Sequence, residues 1–309
     1  MNVLSLFDGI SVARVALDLA HIQVKNYYAS EIEKNAISIS KKNYPTIVRF
    51  GSVIDLSANM IPEPIDLLIG GSPCQDLSIA KKDRKGLEGE RSGLFWEFVR
   101  IMNEVKPKYF ILENVASMPQ KDKDIITGIM GCEPIMFNAS LVSAQCRKRL
   151  FWTNIKFELP LDRQIILKDI LQPPAEIDER MVNKDKKAYT LTTAYLGGNL
   201  KNSVERKQRT MVKVGHIGEI KEGKNHANEQ GGQAHRVYDN TGVSPTLGTT
   251  PPNICLNQDY NFRKLTPIEC ERLQSLPDNY TEGIAMTNRY KCLGNAFNAE
   301  VIAHILKGI

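Results

Sequence analysis

The N-terminal half of the chain alternates short apolar runs with segments of helical periodicity, and this alternation limits the fold more than any other feature. Residues 3–7 read as a strand and 11–20 as a helix; 23–30 and 34–42 repeat the pair. Residues 46–50 form a short strand and 65–70 (IDLLIG) a buried one; 94–105 is helical and 109–112 is a further apolar strand. Strands that alternate with helices build an open, mostly parallel α/β sheet with helices on both faces. Ligands of such sheets bind beyond the carboxyl ends of the strands, where the winding order reverses. Motifs at those ends are therefore the first candidates for chemistry.

The pattern changes at Gln172-Pro173-Pro174 and returns to helical patterning at Thr266. This divides the chain into residues 1–171, an irregular β-rich stretch 172–259, and a C-terminal return 260–309. Glycine-rich pieces (196–199, 230–233) and a Thr-rich, strand-like piece (188–193, AYTLTT) mark the middle part. Residues 180–213 hold nine Lys/Arg and two Asp/Glu, an asymmetry shared by phosphate-binding patches and solvated loop faces. Thr266-Pro267-Ile268-Glu269 is a helix start with Thr as cap, Pro first and Glu third. A last helix is expected over 296–307. The net charge of +5 permits a nucleic-acid partner without requiring one. The six cysteines form no C-x-x-C pair and no His cluster completes a zinc set, so no metal is expected. The first residues lack a secretory signal, and no stretch is apolar enough to span a bilayer. A reducing compartment follows, in which each cysteine is a free thiol, either a buried spectator or a nucleophile.

Four motifs sit at strand ends. Gly70-Gly71-Ser72-Pro73-Cys74-Gln75-Asp76-Leu77-Ser78 follows the buried strand and leads into a charged loop with Lys81, Lys82, Arg84, Lys85 and Arg91. Positive charge near a thiol favours the thiolate, although a lone Cys is more often a small buried apolar residue. Glu113-Asn114-Val115 follows the strand 109–112. A carboxyl at that mouth suits an acid toward a ring nitrogen; a structural Glu is the plain alternative. In Gln145-Cys146-Arg147-Lys148-Arg149, strand alternation would put Gln145, Arg147 and Arg149 on one face, facing a phosphate or lying along a basic edge. Phe7-Asp8-Gly9-Ile10-Ser11 turns after the first strand, and Glu31 ends the second, where an acid binds ribose hydroxyls.

In this order the motifs resemble the DNA cytosine-5 methyltransferase family from end to end. FDG, SPCQDLS, ENV and QCRKR are followed by Arg263-Lys264-Leu265-Thr266-Pro267-Ile268-Glu269 with Arg272-Leu273-Gln274, and then by Leu293-Gly294-Asn295-Ala296. The resemblance implies a Rossmann-like methyltransferase sheet, S-adenosyl-L-methionine as cofactor and double-stranded DNA as partner. Cys74 would attack C6 of a flipped-out cytosine, Glu113 would stabilise the ring at N3, and Arg147, with Arg149 beside it, would contact the base or its phosphate. The loop 75–92 would close behind the base, and 172–259 would be the target-recognition domain. Phe7, Asp8, Gly9, Ile10, Glu31, Pro73, Leu94 and Asn295 match cofactor-lining positions. Two blocks depart from the family: Ser11 and Val12 stand where further glycines are usual, and Gly51-Ser52-Val53 replaces a Gly-Asp pair. Adenine contacts would then fall to Ser52, Val53 or a backbone group. The expectation is a monomeric enzyme in the cytoplasm of a bacterial or phage-infected cell. A tRNA methyltransferase of the same fold, a DNA-binding module without activity and a nucleotide-dependent oxidoreductase are the alternatives.

Overall fold

A computed structural model describes residues 1–72, 94–172, 182–191, 210–213, 255–257 and 260–309, with backbone alone at 213, 255–257 and 260–262. Seven strands form one sheet: β1 (Asn2–Leu6), β2 (Asn26–Ser30), β3 (Val48–Gly51), β4 (Leu67–Gly71), β5 (Tyr109–Val115), β6 (Ile135–Asn138) and β7 (Lys148–Thr153). Their order is β3-β2-β1-β4-β5-β7-β6. The first five run parallel, and β7 pairs antiparallel with both β5 and β6. The helices are α1 (Val12–Leu19), α2 (Lys34–Asn43), α3 (Leu94–Val105), α4 (Gln120–Met130), α5 (Pro267–Leu273), α6 (Met286–Asn295) and α7 (Ala299–Leu306).

Strand alternation sends successive side chains to opposite faces. Val3, Ile69 and Ile111 pack with Ala13, Leu17, Ile302 and Ile305 from α1 and α7. Leu4, Leu68 and Leu112 pack on the other face with Phe95 and Phe98 from α3 and Ile126 from α4. Phe95, Phe98 and Trp152 are fully buried, and the Trp152 indole N–H is satisfied by Thr127 Oγ1 at 3.0 Å. A third cluster joins α1 and α2 to α5, α6 and the segments 165–171 and 188–191.

Pairing, rather than local hydrophobicity, sets where strands begin and end. β2 starts at Asn26, three residues later than expected, because its partner β1 starts at Asn2, directly opposite. β5 continues past Leu112 because Glu113, Asn114 and Val115 pair with Phe151, Leu150 and Arg149. Glu113 thus lies within the strand. β7 begins at Lys148, so Gln145 and Arg147 precede it. α7 starts at Ala299, later than expected, because the Asn298 side chain accepts from the Val301 N–H and caps the helix there. Of the Thr-rich piece, residues 188–191 contribute one bridge, Gln145 to Ala188.

A second, antiparallel sheet orders β8 (Met211–Lys213), β10 (Tyr260–Lys264) and β9 (Cys255–Asn257). It joins strands from both sides of position 259. Its connection to the large sheet is pinned at the start of α5. Glu269 is fully buried; its Oε1 and Oε2 accept from Arg263 Nη2 and Nη1, both at 2.7 Å. The same carboxylate accepts the Gln172 N–H at 2.8 Å and the Thr266 N–H at 2.7 Å, while Thr266 Oγ1 accepts from Glu269 N–H and donates to Gln172 Oε1. The expected Thr-Pro-x-Glu helix start is therefore a capping box that also ties Gln172 to Arg263. Removing one member of a buried pair leaves the other charge uncompensated, at a cost of about 3–5 kcal/mol. Glu269→Ala should lower the melting temperature by roughly 10 °C, read by circular dichroism; a shift within error of zero would show that the clamp is not needed.

Candidate active site

The strand order reverses beside β1, with β2 and β3 on one side and β4 and β5 on the other. The carboxyl ends of β1 and β4 therefore border the crevice where such sheets take ligands. The residues at this edge fall into two groups.

The first group surrounds the turn 7–11. Phe7, Gly9 and Ser11 all have left-handed backbones, with φ of 57°, 58° and 61°. The Asp8 N–H donates to Ser30 O at 3.1 Å, and the Gly9 N–H donates to Glu31 Oε2 at 2.8 Å. Glu31 Oε1 accepts the Ile32 and Glu33 N–H groups, both at 2.8 Å. Three backbone donors thus hold the carboxylate at the end of β2. The Tyr280 hydroxyl donates to Ile10 O at 2.7 Å and ties the turn to the C-terminal part. The Asp8 carboxylate points inward, accepting from Tyr27 Oη at 2.7 Å and from Ser11 Oγ. Burial pushes its pKa up, against the pull of these hydrogen bonds.

The other expected cofactor residues are spread around this edge. The side chains of Ile10 and Val53 are buried in the core, so only their backbones are available to a ligand. Ser52 is half-buried after β3, and its Oγ accepts from the Ile54 N–H at 3.2 Å. Leu94 opens α3 and is half-buried; Asn295 ends α6 and is exposed. Two apolar residues join the group that sequence reasoning passed over. Ile32 and Ile54, beyond the carboxyl ends of neighbouring β2 and β3, are 71% and 65% exposed. Their signal was an isoleucine directly after Glu31 and another two residues after Ser52.

The second group centres on Glu113. Register places Gly71 of β4 opposite Glu113 of β5, with β7 on the far side. Arg149 Nε donates to Glu113 Oε1 at 2.8 Å, and both side chains are largely buried. A Cβ on Gly71 would lie 2.8 Å from both Glu113 Oε2 and Phe297 Cε1, so only glycine leaves room for them. A small cavity here is lined by Glu113, Arg149, Arg147, Phe137, Phe297 and Asn298. Arg147 behaves differently from Arg149. It is 4% exposed and donates to the carbonyls of Leu191, Gly294 and Ala296 at 3.1, 3.2 and 2.8 Å. It thereby joins the segment entering the variable region to the turn that carries Asn295. Asn114 entered the sequence reading only as a member of its motif, without a role of its own. Its Nδ2 donates to Ser72 Oγ at 3.2 Å, holding the last described residue before the Pro73-Cys74 step. Pro73, Cys74 and the loop 75–92 lie outside the described residues.

The arrangement offers a carboxylate held by a guanidinium beside a glycine gap, next to a turn that fixes a second carboxylate by backbone donors. A family model described as C-5 cytosine-specific DNA methylase matches residues 1–309. The chain belongs to that family. Its members are enzymes that methylate cytosine in DNA at C5, and so is this chain. It is similar to Type II methyltransferase M.HhaI of Haemophilus parahaemolyticus, 26% identical over 333 residues, with 100% of this chain and 94% of the relative covered. Type II methyltransferase M1.ScrFI of Lactococcus lactis subsp. cremoris is 28% identical over 317 residues, covering 96% and 74%. Among solved structures, the Entamoeba histolytica methyltransferase EhMeth superposes with a TM-score of 0.68 at 16% identity, covering 100% and 97%, which is a likeness of fold. Among the described residues no helix is long and apolar enough to cross a membrane, and no three His, Cys, Asp or Glu gather as a metal site.

The family activity makes the Gly71 gap testable. Gly71→Ala should displace Glu113 or Phe297 and lower the rate of DNA cytosine methylation by at least about tenfold, since a ~1 Å misplacement within an active site costs on that scale or more. A variant as active as the parent would show that the site tolerates a Cβ there.

Proposed function

We propose that this chain transfers a methyl group from S-adenosyl-L-methionine to C5 of a cytosine flipped out of double-stranded DNA, through a covalent adduct with Cys74. The observation that carries this reading is the Glu113–Arg149 pair at the carboxyl end of β5, beside the Gly71-Ser72 end from which the Pro73-Cys74 step departs. A flipped base is needed because a stacked cytosine hides C6; extrusion costs roughly a few kcal/mol.

The residues at the first edge suit the cofactor. Glu31 has three of its carboxylate positions taken by backbone N–H groups, which orients it as an acceptor for ribose hydroxyls. Exposed Ile32 and Ile54 offer apolar surface to an adenine ring, with Ser52 between β3 and Ile54. Phe7, Gly9, Leu94, Asn295 and Pro73 complete the lining; Asp8, Ile10 and Val53 contribute backbone. When bound, S-adenosylmethionine supplies an electrophilic methyl group.

The chain's own residues prepare the base to take it. The Cys74 thiolate bonds to C6, and the displaced electron pair makes C5 nucleophilic. Glu113 shares a proton with N3, so that the ring is held protonated there as electron density accumulates, and Arg149 holds the carboxyl group in place. After C5 is methylated, a base removes its proton, and the electron pair that returns to the ring expels the Cys74 sulfur. Arg147 acts as a positioning residue through its three carbonyl bonds. Residues 172–259, whose strands β8 and β9 pair with β10 just beyond them, form the target-recognition domain, which reads base edges in the major groove. We assign the enzyme as a monomer in the cytoplasm of a bacterial or phage-infected cell.

The test is transfer of labelled methyl from S-adenosylmethionine to mixed-sequence duplex DNA, with mapping of 5-methylcytosine. The expected result is label at C5 within one short motif, lost in Cys74→Ser while binding of S-adenosylhomocysteine persists. DNA with 5-fluorocytosine at the target should trap the wild-type chain covalently, because fluorine does not leave as a proton does. Label on tRNA instead of DNA, or full activity in Cys74→Ser, would overturn the reading.

A further inference from the structure

Ser11 precedes α1 as its N-terminal cap, and its carbonyl accepts the Arg14 and Val15 N–H groups, yet its side chain does none of the usual work of a cap. A capping serine has an extended backbone, and its hydroxyl accepts an N–H from the first turn. Here the backbone is left-handed at φ 61° and ψ 38°, and no side-chain capping bond forms. That conformation brings the Cβ of an L-residue close to its following carbonyl and favours glycine. The hydroxyl is committed elsewhere: Ser11 Oγ donates to Asp8 Oδ2 and lies 2.6 Å from Ser40 Oγ. Arg49 Nη2, in turn, donates to Ser40 Oγ at 2.7 Å.

The direction of this chain of bonds is forced. A guanidinium only donates and a carboxylate only accepts. Arg49 therefore donates to Ser40, Ser40 to Ser11, and Ser11 to Asp8. Each hydroxyl proton has one place to go, and a cation and an anion close the two ends. Ser11 and Asp8 are buried, as is Ser40, so water does not compete for these bonds. Arg49 is itself anchored by the Ile47 and Tyr44 carbonyls at 2.8 and 3.0 Å. The series runs from the start of β3, through α2, to the turn that presents the Gly9 N–H to Glu31.

We propose that Asp8, Ser11, Ser40 and Arg49 are positioning residues that hold Ser11 left-handed, and with it the cofactor turn, doing by side-chain hydrogen bonding what glycine would do by conformational freedom. The inference rests on the reading that S-adenosylmethionine binds at this turn. The Asp8 side chain then governs cofactor affinity without itself touching the cofactor. Its carboxylate is consumed by Ser11 and Tyr27 on the interior side of the turn.

A direct contact and a conformational strut respond in opposite ways to glycine. Ser11→Ala and Ser11→Gly both delete the hydroxyl, and only glycine adopts the left-handed backbone freely. Calorimetric titration with S-adenosylhomocysteine should show Ser11→Ala weakened roughly tenfold and Ser11→Gly within about twofold of wild type. Asp8→Ala should also bind more weakly, and Asp8→Ala/Ser11→Gly should recover most of the loss. In steady-state methylation, Ser11→Ala should raise KM for the cofactor while leaving kcat and KM for DNA nearly unchanged. Amide exchange at Gly9 and Val12 should speed up in Ser11→Ala and not in Ser11→Gly. Equal weakening by alanine and glycine, or wild-type affinity in Ser11→Ala, would overturn the strut. Should Asp8→Ala fail to fold, the alanine–glycine comparison at Ser11 decides alone. A wild-type chain that binds no S-adenosylhomocysteine would instead refute the cofactor reading, and this inference with it.

Discussion

β1 is hydrogen-bonded in parallel on both edges, to β2 from Asn2 to Leu6 and to β4 from Val3 to Leu6, and the active edge is laid out by that double pairing. Parallel neighbours require crossovers, and crossovers in one sheet are right-handed. Leaving β1 for β2 and β3, then returning to its other edge as β4, puts α1 on one face and α3 on the other. The connections after β1 and β4 therefore diverge, and a gap opens between them at the carboxyl ends. One wall of the gap is the 7–11 turn on Glu31; the other is Gly71-Ser72 beside Glu113. The chemistry assigned to these residues needs both walls at once, which is why the order of strands matters more than any single side chain.

The variable segment is joined to this frame by buried charge. Lys187 is 2% exposed; its Nζ donates to Ser140 O and Ile165 O and pairs with Asp162 at 3.1 Å. Arg147 holds three carbonyls, and Arg263 with Glu269 holds Gln172. A buried charge is tolerated only when its donors or acceptors are met, and a poorly met one costs several kcal/mol. Such contacts fix geometry more sharply than apolar packing does, because a shifted donor loses its partner outright. The basic window 180–213 consequently has two parts to its chemistry. Lys187 is an internal fastener and is unavailable to a phosphate.

The parallel part of the fold was legible because its strands are apolar and its helices periodic. The antiparallel end was not. α4 has the sequence QKDKDIITGIM, whose first half is polar and whose Gly128 weakens the helical pattern, and β6 has four residues. Their identity comes from packing on Trp152 and pairing with β7, neither of which is a local property. At the site, Cys74, Glu113, Glu31 and the arginine motif stood out by residue type and spacing. Gly71 and Asn114 appeared only as members of their motifs and Phe297 not at all, because an amide bond to Ser72 and a missing Cβ become meaningful only once β4 and β5 lie side by side.

Arg147 and Arg149 show how far spacing alone can be taken. Two residues apart, they share a face if both lie in one strand. The strand begins at Lys148, while Gln145 and Cys146 before it pair with Ala188 instead, and the two guanidiniums find different partners. Arg147 goes inward, where backbone carbonyls surround it; Arg149 stays at the crevice rim and meets Glu113. Both follow from one property of arginine, a rigid fork of donors that must be satisfied when desolvated. Carbonyls flanking Asn295 satisfy one fork and a strand-end carboxylate satisfies the other. The inward arginine therefore sets where the turn carrying Asn295 and the variable segment stand, and the outward one sets where the carboxylate stands.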